Sequence, residues 1–106
     1  MRFHAYDLAL HIITSLHASL ALIRRHNAAL ARQGTNAIDS VLLNLAEGTG
    51  REGGDRLHHF RIALGSLREV GAVLDIATAH RWLDSPPLAK ERDRLCGMIY
   101  GLQRRR

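Results

Sequence analysis

The sequence has 106 residues, of which 46% are hydrophobic and 5% aromatic, a length that fits one domain with an aliphatic core. Its formal net charge is +5, and its single cysteine, Cys96, excludes an internal disulfide. No apolar run is long enough for a transmembrane helix. Asp7, His11 and His17 interrupt the apolar stretch near the N-terminus. We therefore expect one cytoplasmic domain over residues 1–106, without membrane contact.

The first half of the chain has the apolar spacing of helices. Apolar residues recur every three, four or seven positions between Leu8 and Leu30, which places them on one helix face. This pattern predicts a first helix from about Tyr6 to Gln33, ended by Gly34. Thr35 or Asn36 is expected to cap a second helix by accepting a backbone N–H bond.

The remaining helices follow from the same spacing. Gly48 is expected to end the second helix in the left-handed conformation that glycine tolerates. The apolar pattern predicts a third helix from about Asp55 to Trp82. Asp84 or Ser85 is expected to cap a fourth helix, with Pro86 in its first position. No segment alternates with a period of two, so the expected fold is an all-α, antiparallel up-down four-helix bundle.

Residues 48–53 read GTGREG, which matches the dinucleotide-binding pattern G-x-G-x-x-G. That site needs a strand before the first glycine, whereas the preceding segment has helical spacing. The glycines are therefore interpreted as a structural corner between two helices. Glu47 is expected to pair with Arg51 or to accept N–H bonds from the third helix. The predicted corner residues are Asn44, Glu47, Gly48, Gly50 and Arg51.

Catalytic and metal-binding patterns are weak. A di-metal bundle needs a repeated Glu-x-x-His motif, and the nearest match among seven histidines is a single Asp55-x-x-His58. No local context supports a nucleophile–histidine–acid triad. The sequence therefore predicts a non-enzymatic protein with no catalytic, cofactor-binding or metal-binding residues.

The positive charge is concentrated near the C-terminus. Residues 81–106 contain seven basic and three acidic residues, and a basic end of this kind is typical of contact with a polyanion. The alternative is a solvated tail. The predicted nucleic-acid-binding residues are Arg92, Arg94, Arg104, Arg105 and Arg106.

The third helix has a wider apolar arc than a surface helix of a monomeric bundle needs. Ile62, Val73 and Ile76 lie beside its main stripe and are predicted to form an interface between subunits. The alternative is a central helix with several neighbours inside one chain.

Two motifs carry a resemblance to a known family. The run Asn44-Leu-Ala-Glu-Gly-Thr-Gly-Arg51, followed by Phe60-Arg-Ile-Ala-Leu-Gly-Ser-Leu-Arg-Glu69, resembles the four helix bundle protein family. Members were first noted in intervening sequences of bacterial large-subunit ribosomal RNA genes. Relatives include the accessory variability determinant of diversity-generating retroelements, which works with a reverse transcriptase.

The resemblance implies a non-enzymatic bundle that forms a ring-like homo-oligomer, commonly a pentamer, with a basic surface. It implies RNA or DNA, and a reverse transcriptase, as possible partners. Members often carry a Q-I-R-R-A-A-like segment where this chain reads Gln33-Gly-Thr-Asn-Ala-Ile-Asp39, without those arginines. Two hypotheses therefore stay open: a nucleic-acid-binding accessory protein, and an oligomeric scaffold that binds no nucleic acid.

Overall fold

The computed structural model describes residues 4–104, which form five helices and no strand. The all-α prediction is confirmed over this range, but the number of helices differs from four. Arg105 and Arg106 lie outside the described residues. In chain order the helices are α1 (His4–Ser15), α2 (His17–His26), α3 (Ala28–Thr49), α4 (Gly53–Ala79) and α5 (Ala89–Arg104).

The helices α3 and α4 form an antiparallel hairpin joined by residues 50–52. The hydroxyl oxygens of Ser40 and Ser66 are 2.8 Å apart in the middle of this hairpin. Nearer the connection, Gly48 packs on the ring of Phe60. Residue numbers thus rise along α3 as they fall along α4, which is what an antiparallel pair requires.

Gly48 permits a close approach of the two helices, and this differs from its predicted role. It is buried within α3, whereas the glycine with positive φ is Gly53, the first residue of α4, at 59°. A β-carbon at Gly48 would lie 2.8 Å from Cδ1 of Phe60 and closer still to Cε1. The guanidinium carbon of Arg56 lies 4.8 Å from the centroid of the same ring. The phenyl ring therefore occupies the space that any other residue's side chain at this position would need.

The prediction that Gly34 ends the first helix is wrong, because the chain breaks at Asn27 instead. Asn27 has extended backbone, with φ −153°, and its side-chain oxygen accepts a 3.0 Å hydrogen bond from the Leu30 amide. This bond caps α3. Gly34 lies inside α3, where a β-carbon would be 3.0 Å from Leu20 and 3.2 Å from Val73.

A bend of 46° separates α1 from α2. Backbone hydrogen bonds from Leu16 to Ile12 and from Leu20 to Leu16 bridge the two helices, so the apolar spacing continues through the bend. Thr35, a predicted cap, instead donates its hydroxyl to the Ala31 carbonyl inside α3.

Within residues 4–104 no single helix is long and apolar enough to cross a membrane; α1 and α2 meet that criterion only as a bent pair.

The end of α4 contains a strained arginine. Arg81 has a φ of 64°; its amide donates to Thr78, and the amide of Trp82 donates to Ala77. These two bonds close a left-handed helix end in which glycine is the usual residue. A side chain in this conformation costs about 1–2 kcal/mol, so Arg81 is held here against its own preference.

The fourth predicted helix begins later than expected, at Ala89 rather than Pro86. The predicted caps Asp84 and Ser85 are therefore wrong. A residue before proline disfavours helical backbone, and Pro86 precedes Pro87. The turn into α5 is made instead by Leu88, which has a φ of 57°.

Aliphatic side chains from every helix form one core. The bent pair α1 and α2 packs on α3, and α5 packs on α4 and α1. The contribution of α5 is small, since Leu95 and Ile99 are its only fully buried residues within the described range. The α3–α4 hairpin is therefore the centre of the fold.

We predict that Gly48→Ala lowers the free energy of unfolding by about 1–3 kcal/mol, because the added methyl group overpacks against Phe60. Gly97→Ala is the control, because Gly97 is exposed in α5 with no atom within 4 Å of its β-carbon position. It should raise stability by about 1 kcal/mol. Urea unfolding at one protein concentration measures both, and equal effects would contradict the packing role of Gly48.

Candidate functional site

A ladder of polar side chains joins α3 to α4 beside the corner. The amide nitrogen of Asn44 donates to the Ser40 carbonyl at 2.9 Å and approaches the Ser40 hydroxyl at 3.2 Å. Its oxygen lies 2.9 Å from Nδ1 of His59, and Ser40 contacts Ser66. Because the Asn44 oxygen only accepts, Nδ1 of His59 carries the proton.

This ladder holds the helices together rather than activating a hydroxyl. A serine nucleophile needs a base within hydrogen-bonding distance of its oxygen. Here Nδ1 of His59 is bonded to Asn44, and Ser40 is bonded to Asn44 and Ser66. The imidazole is therefore separated from both hydroxyl groups by an amide that transfers no proton.

Arg51 is held at the corner by two carboxylates. Its guanidinium contacts Glu47 and Asp55, each at 3.2 Å, so the expected pairing with Glu47 is present. The hydrogen bond from Glu47 raises the pKa of Arg51, and the charges of Asp55 and Glu47 add to that shift. These exposed pairs contribute little stability, but they neutralise the arginine. Gly50, the residue before Arg51, is the C-cap of α3 and has a φ of −90°.

The outer face of α5 carries a different charge arrangement. Lys90, Arg94 and Arg104 are exposed, and their spacing places them on one side of the helix. No hydrogen bond or ion pair joins these three side chains to other residues in the range 4–104. Asp93 lies at the edge of this face. The three cations together are defined here as the α5 basic face.

Arg92, predicted to bind nucleic acid, has a structural contact instead of a free guanidinium. Its Nε donates to the Pro87 carbonyl at 3.0 Å, and Nη1 lies 3.1 Å from the position that a β-carbon on Gly71 would occupy. The side chain therefore fixes the turn before α5 against α4. It is not part of the α5 basic face.

The predicted subunit interface is divided by the structure. Val73 is 3% exposed, and its Cγ1 lies 3.2 Å from the position that a β-carbon on Gly34 of α3 would occupy, so it belongs to the core of one chain. Its assignment to an interface is therefore wrong, because α3 already covers it. Ile62 and Ile76 are 37% and 44% exposed and share the outer side of α4.

The described residues form no group of three or more histidine, cysteine, aspartate or glutamate side chains able to hold a metal ion.

Cys96 is half-buried on α5, and burial raises the pKa of its thiol. A raised pKa leaves less of the reactive thiolate at neutral pH.

Sequence reasoning missed one cluster of rings at the end of α4. The side chains of His26, His80 and Trp82 stack on one another. His80 and Trp82 are near neighbours in sequence and could have been noted together. His26 lies on α2, and no local pattern connects it to them.

We predict that Asn44→Ala lowers the free energy of unfolding by about 1–2 kcal/mol, because His59 and Ser40 lose their shared partner. Asn36→Ala is the matched control on the exposed side of α3 and should be neutral or slightly stabilising. Chemical denaturation measures both variants. A neutral Asn44→Ala would mean that water replaces the amide without loss.

One comparison with known proteins identifies a family for this chain. No curated protein and no solved structure matches the chain. The family model described as 23S rRNA-intervening sequence protein matches residues 2–101. This match spans every helix from α1 to α4 and most of α5. The chain therefore belongs to the family of 23S rRNA-intervening sequence proteins.

Proposed function

We propose that this protein is a non-enzymatic accessory protein that binds nucleic acid, with RNA as the first candidate, through the phosphate backbone. The observation that carries the proposal is the α5 basic face, whose three cations have no partner in the described chain. Unpaired lysine and arginine side chains bind phosphates and release condensed counterions. The family description, which refers to 23S rRNA, supports RNA.

The shape of α5 supports the same proposal. Gly97 and Gly101 lie between Arg94 and Arg104 on the basic face, and no atom lies within 4 Å of either β-carbon position. A phosphate backbone can therefore approach the helix closely between the cations. Tyr100, which is 53% exposed, lies beside this surface. Arg51 is excluded because Glu47 and Asp55 already neutralise it.

We also propose that the functional unit is a homo-oligomer, for which the resemblance suggests an up-down bundle in a five-membered ring. Ile62, Gly65, Glu69, Ala72 and Ile76 are all exposed along α4. Their steps of three and four residues are those of a helix seam. The two isoleucines and the small residues Gly65 and Ala72 suit packing against a second copy of the chain, with Glu69 as the one charged residue among these five positions. A reverse transcriptase as a further partner rests on the resemblance alone.

We predict that Lys90→Gln/Arg94→Gln/Arg104→Gln weakens binding to an RNA hairpin and to a DNA duplex alike. The magnitude of the slope of log affinity against log salt should decrease by about two to three, because each of the three lost phosphate contacts removes roughly 0.7–0.9. Fluorescence anisotropy at several salt concentrations measures this.

The control variant Arg32→Gln/Arg61→Gln/Arg68→Gln removes the same charge from α3 and α4. It should lower affinity less than the α5 variant does, because it changes the overall electrostatic field of the protein but removes no phosphate contact. Equal losses in the two variants would show that net charge, not the α5 basic face, governs binding. Absence of binding at low salt would favour the scaffold hypothesis.

We predict that the wild-type particle is larger than a dimer, and that Ile76→Asp yields smaller particles with unchanged helical content. A carboxylate in place of the Ile76 side chain must lose water on association without gaining a partner. Light scattering after size exclusion measures the mass. Leu22→Asp is the control on α2, where Leu22 is 41% exposed; an equal loss of mass there would contradict the assignment to α4.

A further inference from the structure

Three aromatic side chains form a stack at the surface where α4 ends. The rings of His26 and Trp82 are 5.2 Å apart and parallel within 2°. The rings of His80 and Trp82 are 4.5 Å apart with an angle of 15°. Both histidines are exposed and Trp82 is half-buried. The half-buried indole therefore anchors the stack, and the two exposed imidazole rings are accessible to solvent.

Two arginines flank this stack in the chain. Arg81 stands between His80 and Trp82, and Arg25 precedes His26 in the last turn of α2. Both are exposed, and neither side chain forms a hydrogen bond or ion pair with another residue in the described range. The one acidic residue close by in sequence is Asp84, which is also exposed.

The backbone at Arg81 makes this arrangement notable. Its φ of 64° is favoured by glycine, so an arginine here is strained while its charge is left without a partner. Strained residues of this kind concentrate at ligand sites, where the strained conformation positions a side chain for binding. Nothing within the described chain uses the guanidinium that the strain positions.

We infer that His26, His80 and Trp82, with Arg25 and Arg81, bind an unpaired base of single-stranded nucleic acid. The base extends or enters the ring stack, and the arginines contact the phosphates on either side of it. Aromatic side chains combined with cations are the common means of binding single strands. This inference rests on the proposed function and adds a preference for unpaired bases at a site separate from the α5 basic face.

The test compares strands that differ only in their bases. A twelve-nucleotide single-stranded RNA, an abasic strand of equal phosphate number and a duplex of the same sequence are titrated into the protein. Fluorescence anisotropy of the labelled strands gives affinity. Emission of Trp82, the only tryptophan in the chain, reports on the stack. We expect the strand with bases to bind about ten-fold more tightly than the abasic strand and to be the only one that changes the emission.

A double variant isolates the rings. His26→Ala/His80→Ala should remove the ten-fold preference for bases while leaving the affinity for the abasic strand unchanged. His4→Ala/His11→Ala removes two exposed imidazoles from α1 and should leave the preference intact. Loss of the preference in both double variants would overturn the assignment to the stack.

Arg81→Gly separates binding from folding. Glycine relieves the positive φ, so the melting temperature should rise while the affinity for single strands falls several-fold. A variant that binds as tightly as the wild type would remove Arg81 from the site. Misfolding cannot explain weaker binding by a protein that melts at a higher temperature.

The remaining outcomes distinguish this inference from the proposed function. Equal affinity for strands with and without bases, with unchanged Trp82 emission, would overturn the base site and leave phosphate binding in place. Failure of every strand to bind at low salt would overturn both.

Discussion

The contact between Gly48 and Phe60 is the constraint on which the hairpin depends. The phenyl ring fills the volume of the missing β-carbon, so α3 and α4 approach each other closely beside the connection that joins them. This contact fixes how far one helix is displaced along the other. Asn44 consequently faces His59, and Ser40 faces Ser66, in the next two turns. A shift of one residue would break both contacts, because helix faces change with every residue.

The sequence predicted the hairpin better than the two ends of the chain. Around the corner, apolar spacing, glycines and the family motifs all indicated the same two helices. Near the N-terminus the apolar spacing continues from α1 into α2 although the axis bends by 46°, so the spacing could not locate the break. The hydrogen bond from the Leu30 amide to the Asn27 side chain decides the position of the break. The role of Gly34 was predicted wrongly because a glycine inside a helix can also provide space for side chains of neighbouring helices. Here those side chains are Leu20 of α2 and Val73 of α4.

Charge counts alone could not identify the surface available to a ligand. The sequence contains 14 arginines and one lysine, but their partners depend on the fold. Arg51 is neutralised by two carboxylates, and Arg92 is bonded to a carbonyl. The predicted apolar interface depends on the fold in the same way. The helix α3 covers Val73, whereas Ile62 and Ile76 stay exposed. In each case a residue's availability is set by a neighbour distant in sequence.

The weak attachment of α5 has a consequence for the motions of the protein. This helix buries two residues fully and contains two exposed glycines in its interior, each of which favours the unfolded backbone. Local opening has the lowest free energy where apolar contacts are few, so amide protons of α5 should exchange with solvent before those of α3 and α4. The helix that carries the basic face is then also less protected against opening than the hairpin on which it packs. A polyanion bound there would slow this exchange, so that binding completes the folding of the last helix.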